Sequence, residues 1–190
     1  MRRLAALAAV ALLATACGSG DDDSDDAGPG PDGPAAVEAD EGIAGVVAVR
    51  ITDRSHTDDT VDYDRHPPAG GDHHAVWLNC GFYDEAFPVE HLVHDLEHGA
   101  VWLAYDPDLP AGDLATLHDL VRAEQKVVAT PDRGLDPGVA VVATAWARQL
   151  SLTAVEDPRL VEFIEQYRDG DQAPESGVTC VDSPLGDPLP

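Results

Sequence analysis

The stretch "PVEHLVHDLEHGAVWLAYD", residues 88–106, decides how the chain is built. Pro88 suits the first turn of a helix, and Gly99 suits its end. At about 100° per residue, Val89, Leu92, Val93 and Leu96 fall on one side. His91, His94 and His98 fall on the opposite side, with Glu90 and Glu97 on one flank. Residues 100–106 then read as a strand. A helix with one apolar side, running straight into a strand, has to lie on a sheet.

Working outward, residues 111–125 form a helix that places Leu114, Leu117, Leu120 and Val121 on one side. Residues 126–130 are a strand, and 131–138 ("PDRGLDPG") a turn. Residues 139–146 are a second buried strand, and 147–154 pair with it as a hairpin. Residues 156–170 form a last helix, capped by Asp157 and opened by Pro158. Upstream, residues 42–52 are rich in β-branched and small apolar side chains and read as a strand. Residues 53–87 are loop-like, with Pro67, Pro68, Gly70 and Gly71 as breakers. That loop carries Tyr63, Trp77, Phe82, Tyr83 and Phe87, too many aromatic rings for a disordered segment. The expected class is α+β: a mixed or antiparallel sheet with helices packed on it.

The ends have a different character. Residues 1–16 pair two arginines with an apolar run and small residues, the pattern of a secretory signal. Ala14, Thr15 and Ala16 before Cys17 and Gly18 are similar to a bacterial lipobox, with alanine at the usual leucine position. Residues 17–41 are Asp-, Gly-, Pro- and Ser-rich and read as a flexible acidic tether. One domain is expected over 42–182, with a disordered tail at 183–190. The expected location is outside the cytoplasm, on a lipid anchor in the cell membrane. The formal charge of −25 argues against nucleic acid as a partner. No protein partner is specified.

With Cys17 assigned to lipid, Cys80 and Cys180 remain, and in an exported protein they most simply form one disulfide. The alternative makes Cys80 a metal-binding or catalytic thiolate.

Six of the eight histidines lie between residues 66 and 98. His94 and His98 are one helical turn apart, the spacing used to grip one metal ion. The long loop brings His73 and His74 just upstream, either of which supplies a third ligand. Neutral imidazole suits copper, zinc, iron and nickel, and an imidazole-dominated set favours copper or zinc. His94-x-x-Glu97-His98 also fits the H-x-x-E-H pattern of inverzincin peptidases, although no distal glutamate stands out as a further ligand. There is no G-x-S-x-G, no phosphate-binding loop and no dinucleotide fingerprint.

The segments "YDRHPPAGGDHH", "VWLNCGFYDE", "VHDLEHGAVWLAYDPDL", "ATAWARQL" and "QAPESGVTC" together resemble the bacterial domain-of-unknown-function family 3105, here in an actinobacterial-type lipoprotein. The most specific piece is H-x-L-E-H-G, residues 94–99; the second is P-P-x-x-G-x-H, residues 67–73. Where the family often has a serine, this chain has Gly70, so no hydroxyl carries over there. The resemblance brings no activity. It implies that Cys80 and Cys180 are family positions and singles out His73, His94, Glu97 and His98 over His56, His66, His91 and His118.

The expectation is a cell-surface lipoprotein holding a divalent transition metal through His73, His94 and His98. His74 and Glu97 are further candidates, with Glu97 either a fourth ligand or a group that orients an imidazole. Two alternatives are a metal-free interaction module of the envelope and a metallohydrolase with Glu97 as general base. Replacing Cys17 with alanine should release the protein from the membrane fraction or leave its signal uncleaved. A mutant that fractionates like the parent would place the anchor elsewhere.

Overall fold

The computed structural model describes residues 42–190, and the backbone of residues 37–39. The expected signal, Cys17 and the expected tether apart from 37–39 lie outside the described residues. In chain order the elements are β1 (Val37–Ala39), β2 (Val47–Val49), β3 (Gly81–Phe82), α1 (Val89–Glu97), β4 (Val101–Tyr105), α2 (Ala111–Ala123), β5 (Val127–Pro131), β6 (Val141–Ala145), β7 (Arg148–Leu152) and α3 (Pro158–Tyr167). The strands form one mixed sheet in the order β1-β2-β7-β6-β4-β5-β3. Neighbours are antiparallel from β1 through to β4, whereas β5 runs parallel to both β4 and β3. The fold is α+β.

β4 explains why helices cover both faces. All five of its residues are buried, as expected of a central strand without a wet side. Its side chains alternate between faces. Val101, Leu103 and Tyr105 pack with Leu117 and Val121 of α2 and with Leu160, Phe163 and Ile164 of α3. Trp102 and Ala104 turn the other way, toward Leu92, Val93 and Leu96 of α1 and Leu78 and Tyr83 of the long loop. Burying each large apolar side chain of α1 contributes on the order of 1.5–3 kcal/mol. With that face committed to the sheet, the histidine face of α1 must point outward.

Gly99 ends α1 at φ +90, a conformation that side-chain-bearing residues rarely adopt. A Cβ there would also come within 2.9 Å of the Asp169 carboxylate and 3.1 Å of its Cα. At the start of α3, the Asp157 side chain accepts from the Arg159 backbone amide at 3.0 Å, the expected cap.

Four features depart from the sequence-based expectation. The strand expected over 42–52 pairs only at Val47–Val49, because Gly45, at φ +89, sits in a turn closed by Val46 N–H donating to the Ile43 carbonyl. β1 comes from within the stretch read as tether and pairs antiparallel with β2. A short strand, β3, forms inside the long loop and supplies the parallel edge beside β5. The tail 183–190, expected to be disordered, is docked. The Asn79 side-chain amide donates to the carbonyls of Ser183, Leu185 and Gly186 at 2.8–3.1 Å, and Leu189 N–H donates to Phe82 O at 2.8 Å. A half-buried asparagine at the sheet edge thus does what a neighbouring strand would do.

Cys80 and Cys180 form a disulfide across 100 residues, with Cα atoms 5.5 Å apart. In the chain-entropy picture a loop of that length contributes up to about 4–5 kcal/mol. The Cys80→Ser/Cys180→Ser double variant should therefore unfold at clearly lower denaturant than the parent. Equal unfolding midpoints would show that the crosslink adds nothing to stability.

Candidate metal centre

The outer face of α1 is polar in sequence, yet it is buried. His94 and His98 are 4% and 2% exposed, and Glu97 is 3% exposed. Two segments cover them. The first is the end of the long loop, where His73 (0% exposed) forms a parallel bridge with His56. His73 N–H donates to Ser55 O at 3.0 Å, and Thr57 N–H donates to His73 O at 2.8 Å. The second is the segment after α3, anchored where Glu175 N–H donates to Glu97 O at 2.9 Å. Trp77 lies against both rings of the helical pair, with centroids 5.7 Å from His94 and 5.1 Å from His98.

The hydrogen bonds fix which ring nitrogens are free. His73 Nδ1 faces the Gly71 carbonyl at 2.9 Å, His94 Nδ1 the His74 carbonyl at 2.7 Å, and His98 Nδ1 the Thr179 carbonyl at 2.8 Å. A carbonyl only accepts, so in each ring Nδ1 carries the hydrogen and a neutral ring keeps a bare lone pair on Nε2. Those lone pairs converge. His94 Nε2 is 2.9 Å from His98 Nε2. His73 Nε2 is 2.9 Å from Glu97 Oε2, but it has no hydrogen-bond partner of acceptable geometry among the described residues.

Electrostatics sharpens the conflict. Burial lowers His94 to about 4; the bond to the His74 carbonyl opposes this, and the neighbouring imidazoles of His98, His73 and His56 reinforce it. Burial also holds His98 below the usual histidine range, against its bond to the Thr179 carbonyl. Both rings are therefore neutral at pH 7. Two neutral imidazoles with their lone pairs facing each other repel, and a lone pair facing a carboxylate repels as well. A cation placed among such groups would offset this repulsion.

One ligand atom from each of His56, His73, His94 and Glu97 lies within 4.8 Å of the others, a group that could hold a metal ion. Three of the four are buried and His56 is exposed, so the group opens to solvent on one side. The donor set, three nitrogens and one carboxylate oxygen, suits a transition metal. Arg54 approaches the other Glu97 oxygen at 3.6 Å from a largely exposed position.

The expected residues therefore divide. His73, His94 and Glu97 come together. His98 is adjacent to His94 but outside the four-residue group. His74 is not a donor to it: its Nδ1 accepts from Val76 N–H at 2.9 Å, leaving the hydrogen on an Nε2 that faces Asp58 at 3.5 Å. What His74 supplies is its backbone carbonyl, which orients His94. His56, ranked low on sequence grounds, joins the group. Its signal was weak because it stands outside the histidine-rich stretch and reaches His73 only through a bridge between distant segments. His66 pairs with Asp132 at 2.9 Å, and His118 packs on Phe82, both elsewhere. Cys80 is committed to the disulfide, which removes the thiolate-ligand alternative. Asp95, inside the motif, is fully buried beside Leu78. Burial pushes its carboxyl well above the usual range, and it lies in the core outside the four-residue group.

Among known families, residues 55–182 match the profile described as "Protein of unknown function (DUF3105)". Neither a curated protein nor a solved structure matches the chain. The matched span includes the four-residue group, His98 and both bridged cysteines, and it covers more than half of the 190 residues. The chain belongs to the DUF3105 family.

Proposed function

We propose that this protein is an extracytoplasmic lipoprotein, anchored to the membrane through Cys17, whose domain binds a transition metal through His56, His73, His94 and Glu97. The observation that carries the metal reading is that ligand atoms of His56, His73, His94 and Glu97 lie within 4.8 Å of one another, with backbone carbonyls holding Nδ1 of His73 and His94 and leaving their Nε2 lone pairs bare. Such a cluster is costly without a cation and is prepared for one, because the rings of His73, His94 and His98 are already oriented and burial favours the neutral form of His94 and His98. Copper and zinc are the favoured ions, both accepting imidazole nitrogen with one carboxylate oxygen. The chain's acidity favours cations at its surface in general. Anchoring is supported by the signal-like start and the lipobox-like residues before Cys17.

A hydrolase would need Glu97 as a free general base. Here Glu97 Oε2 lies among the candidate ligands, 2.9 Å from His73 Nε2. That position favours binding or handling of the metal over base catalysis. A metal-free interaction module leaves the buried Nε2 contacts unexplained.

Elemental analysis of the purified full-length protein should find about one zinc or copper per chain, removable by chelation and restored on adding the ion. His73→Ala or His94→Ala should weaken binding by well over tenfold, with the fold retained by circular dichroism. Binding unchanged in both variants would refute the site.

The pH dependence has a definite sign. Metal needs the neutral ring, so protons compete as pH falls. Because burial holds the metal-free His94 near 4 rather than 6.5, the His94 contribution should persist through mildly acidic pH and fade as pH approaches about 4. Isothermal titration calorimetry at several pH values checks this. Affinity that rises on acidification would contradict it.

A further inference from the structure

His98 is the buried imidazole that the four-residue group does not use. Its Nδ1 is fixed by the Thr179 carbonyl at 2.8 Å, so its Nε2 lone pair points along the same outer face of α1. Two acceptor atoms lie near that nitrogen, His94 Nε2 at 2.9 Å and Glu175 Oε2 at 3.8 Å. Glu175 is half exposed, with 49% of its side chain accessible, and its backbone is pinned to the Glu97 carbonyl. His94 therefore belongs to two donor sets. One is His56, His73 and Glu97; the other is His98 and Glu175.

An imidazole Nε2 has one lone pair and binds one ion at a time. The two sets therefore cannot both be filled through His94. They differ in strength. The first offers three partners to His94, two of them buried. The second offers two partners, one of them a solvated carboxylate at the surface. Fewer ligands and more water make it the weaker position and the easier one to leave.

We propose that the divalent ion has two alternative positions sharing His94: a holding position with His56, His73 and Glu97, and a transfer position with His98 and Glu175 from which it leaves the protein. The role implied is delivery of a divalent transition metal rather than its permanent storage. This inference rests on the metal reading above.

The test uses zinc on the purified full-length protein, with release followed by absorbance of a coloured chelator. Cobalt serves as a spectroscopic probe of the holding position. The variants are His98→Gln, whose amide can still donate to the Thr179 carbonyl, Glu175→Gln and His94→Ala. Both glutamine variants should keep about one cobalt per chain with the parent visible spectrum and near-parent zinc affinity, but release zinc about tenfold or more slowly. His94→Ala should lose binding. Parent release rates in both glutamine variants would overturn the proposal, showing that His98 and Glu175 are bystanders. Loss of zinc in His98→Gln as complete as in His94→Ala would also overturn it, because His98 would then be an ordinary ligand of a single site. In either of those cases the metal reading survives. If the parent itself binds neither zinc nor cobalt, both readings fall together.

Discussion

Three backbone carbonyls, those of Gly71, His74 and Thr179, each accept a hydrogen from an imidazole Nδ1. This constraint sets the chemistry of the molecule. It chooses the tautomer of His73, His94 and His98 and turns every Nε2 toward the others or toward Glu97. The three carbonyls come from two chain segments far apart in sequence, so the arrangement exists only once the loop before α1 and the segment after α3 are both laid over the helix. The Cys80–Cys180 disulfide joins those two coverings, and Cys80 N–H donates to the Cys180 carbonyl at 2.7 Å beside it. The lid over the histidines and the staple that holds it are one structure.

The rest of the fold prepares this by elimination. β4 has no wet side, so α1 must give its apolar face to the sheet. Gly99 stops the helix where Asp169 closes against it, which fixes how far His98 extends toward the segment after α3. The outer face of α1 carries His91, His94 and Glu97, with His98 at its end, and the loop bends over them rather than leaving them to water.

Much of this was legible in the sequence, for physical reasons that can be named. The 3.6-residue period of residues 88–98 separates Leu92, Val93 and Leu96 from His94 and His98 without any knowledge of the partner. The Asp157-Pro158 pair marks the start of α3, and long apolar runs mark β4 and β6. What the sequence could not show was pairing between distant segments. The His56–His73 bridge, β3 inside a long loop, and the docking of residues 183–190 on Asn79 all depend on which chain edges meet. Nor could it tell that His74 spends its Nδ1 on Val76 N–H, because tautomers are set by local backbone geometry. Hence His56 was passed over and His74 considered, although the two have similar side-chain chemistry.

The central claim is that the Nε2 atoms of these histidines are bare acceptors waiting for a cation. Long-range proton–nitrogen NMR of the histidine rings reads this directly, before and after one equivalent of zinc. In the chelator-treated protein at neutral pH, His73, His94 and His98 should each show hydrogen on Nδ1 and none on Nε2. Zinc should then shift the Nε2 resonances of His73 and His94 while their Nδ1–H signals persist. Hydrogen found on Nε2 of His73 and His94 in the metal-free protein, or ring nitrogens that do not respond to zinc, would contradict the account.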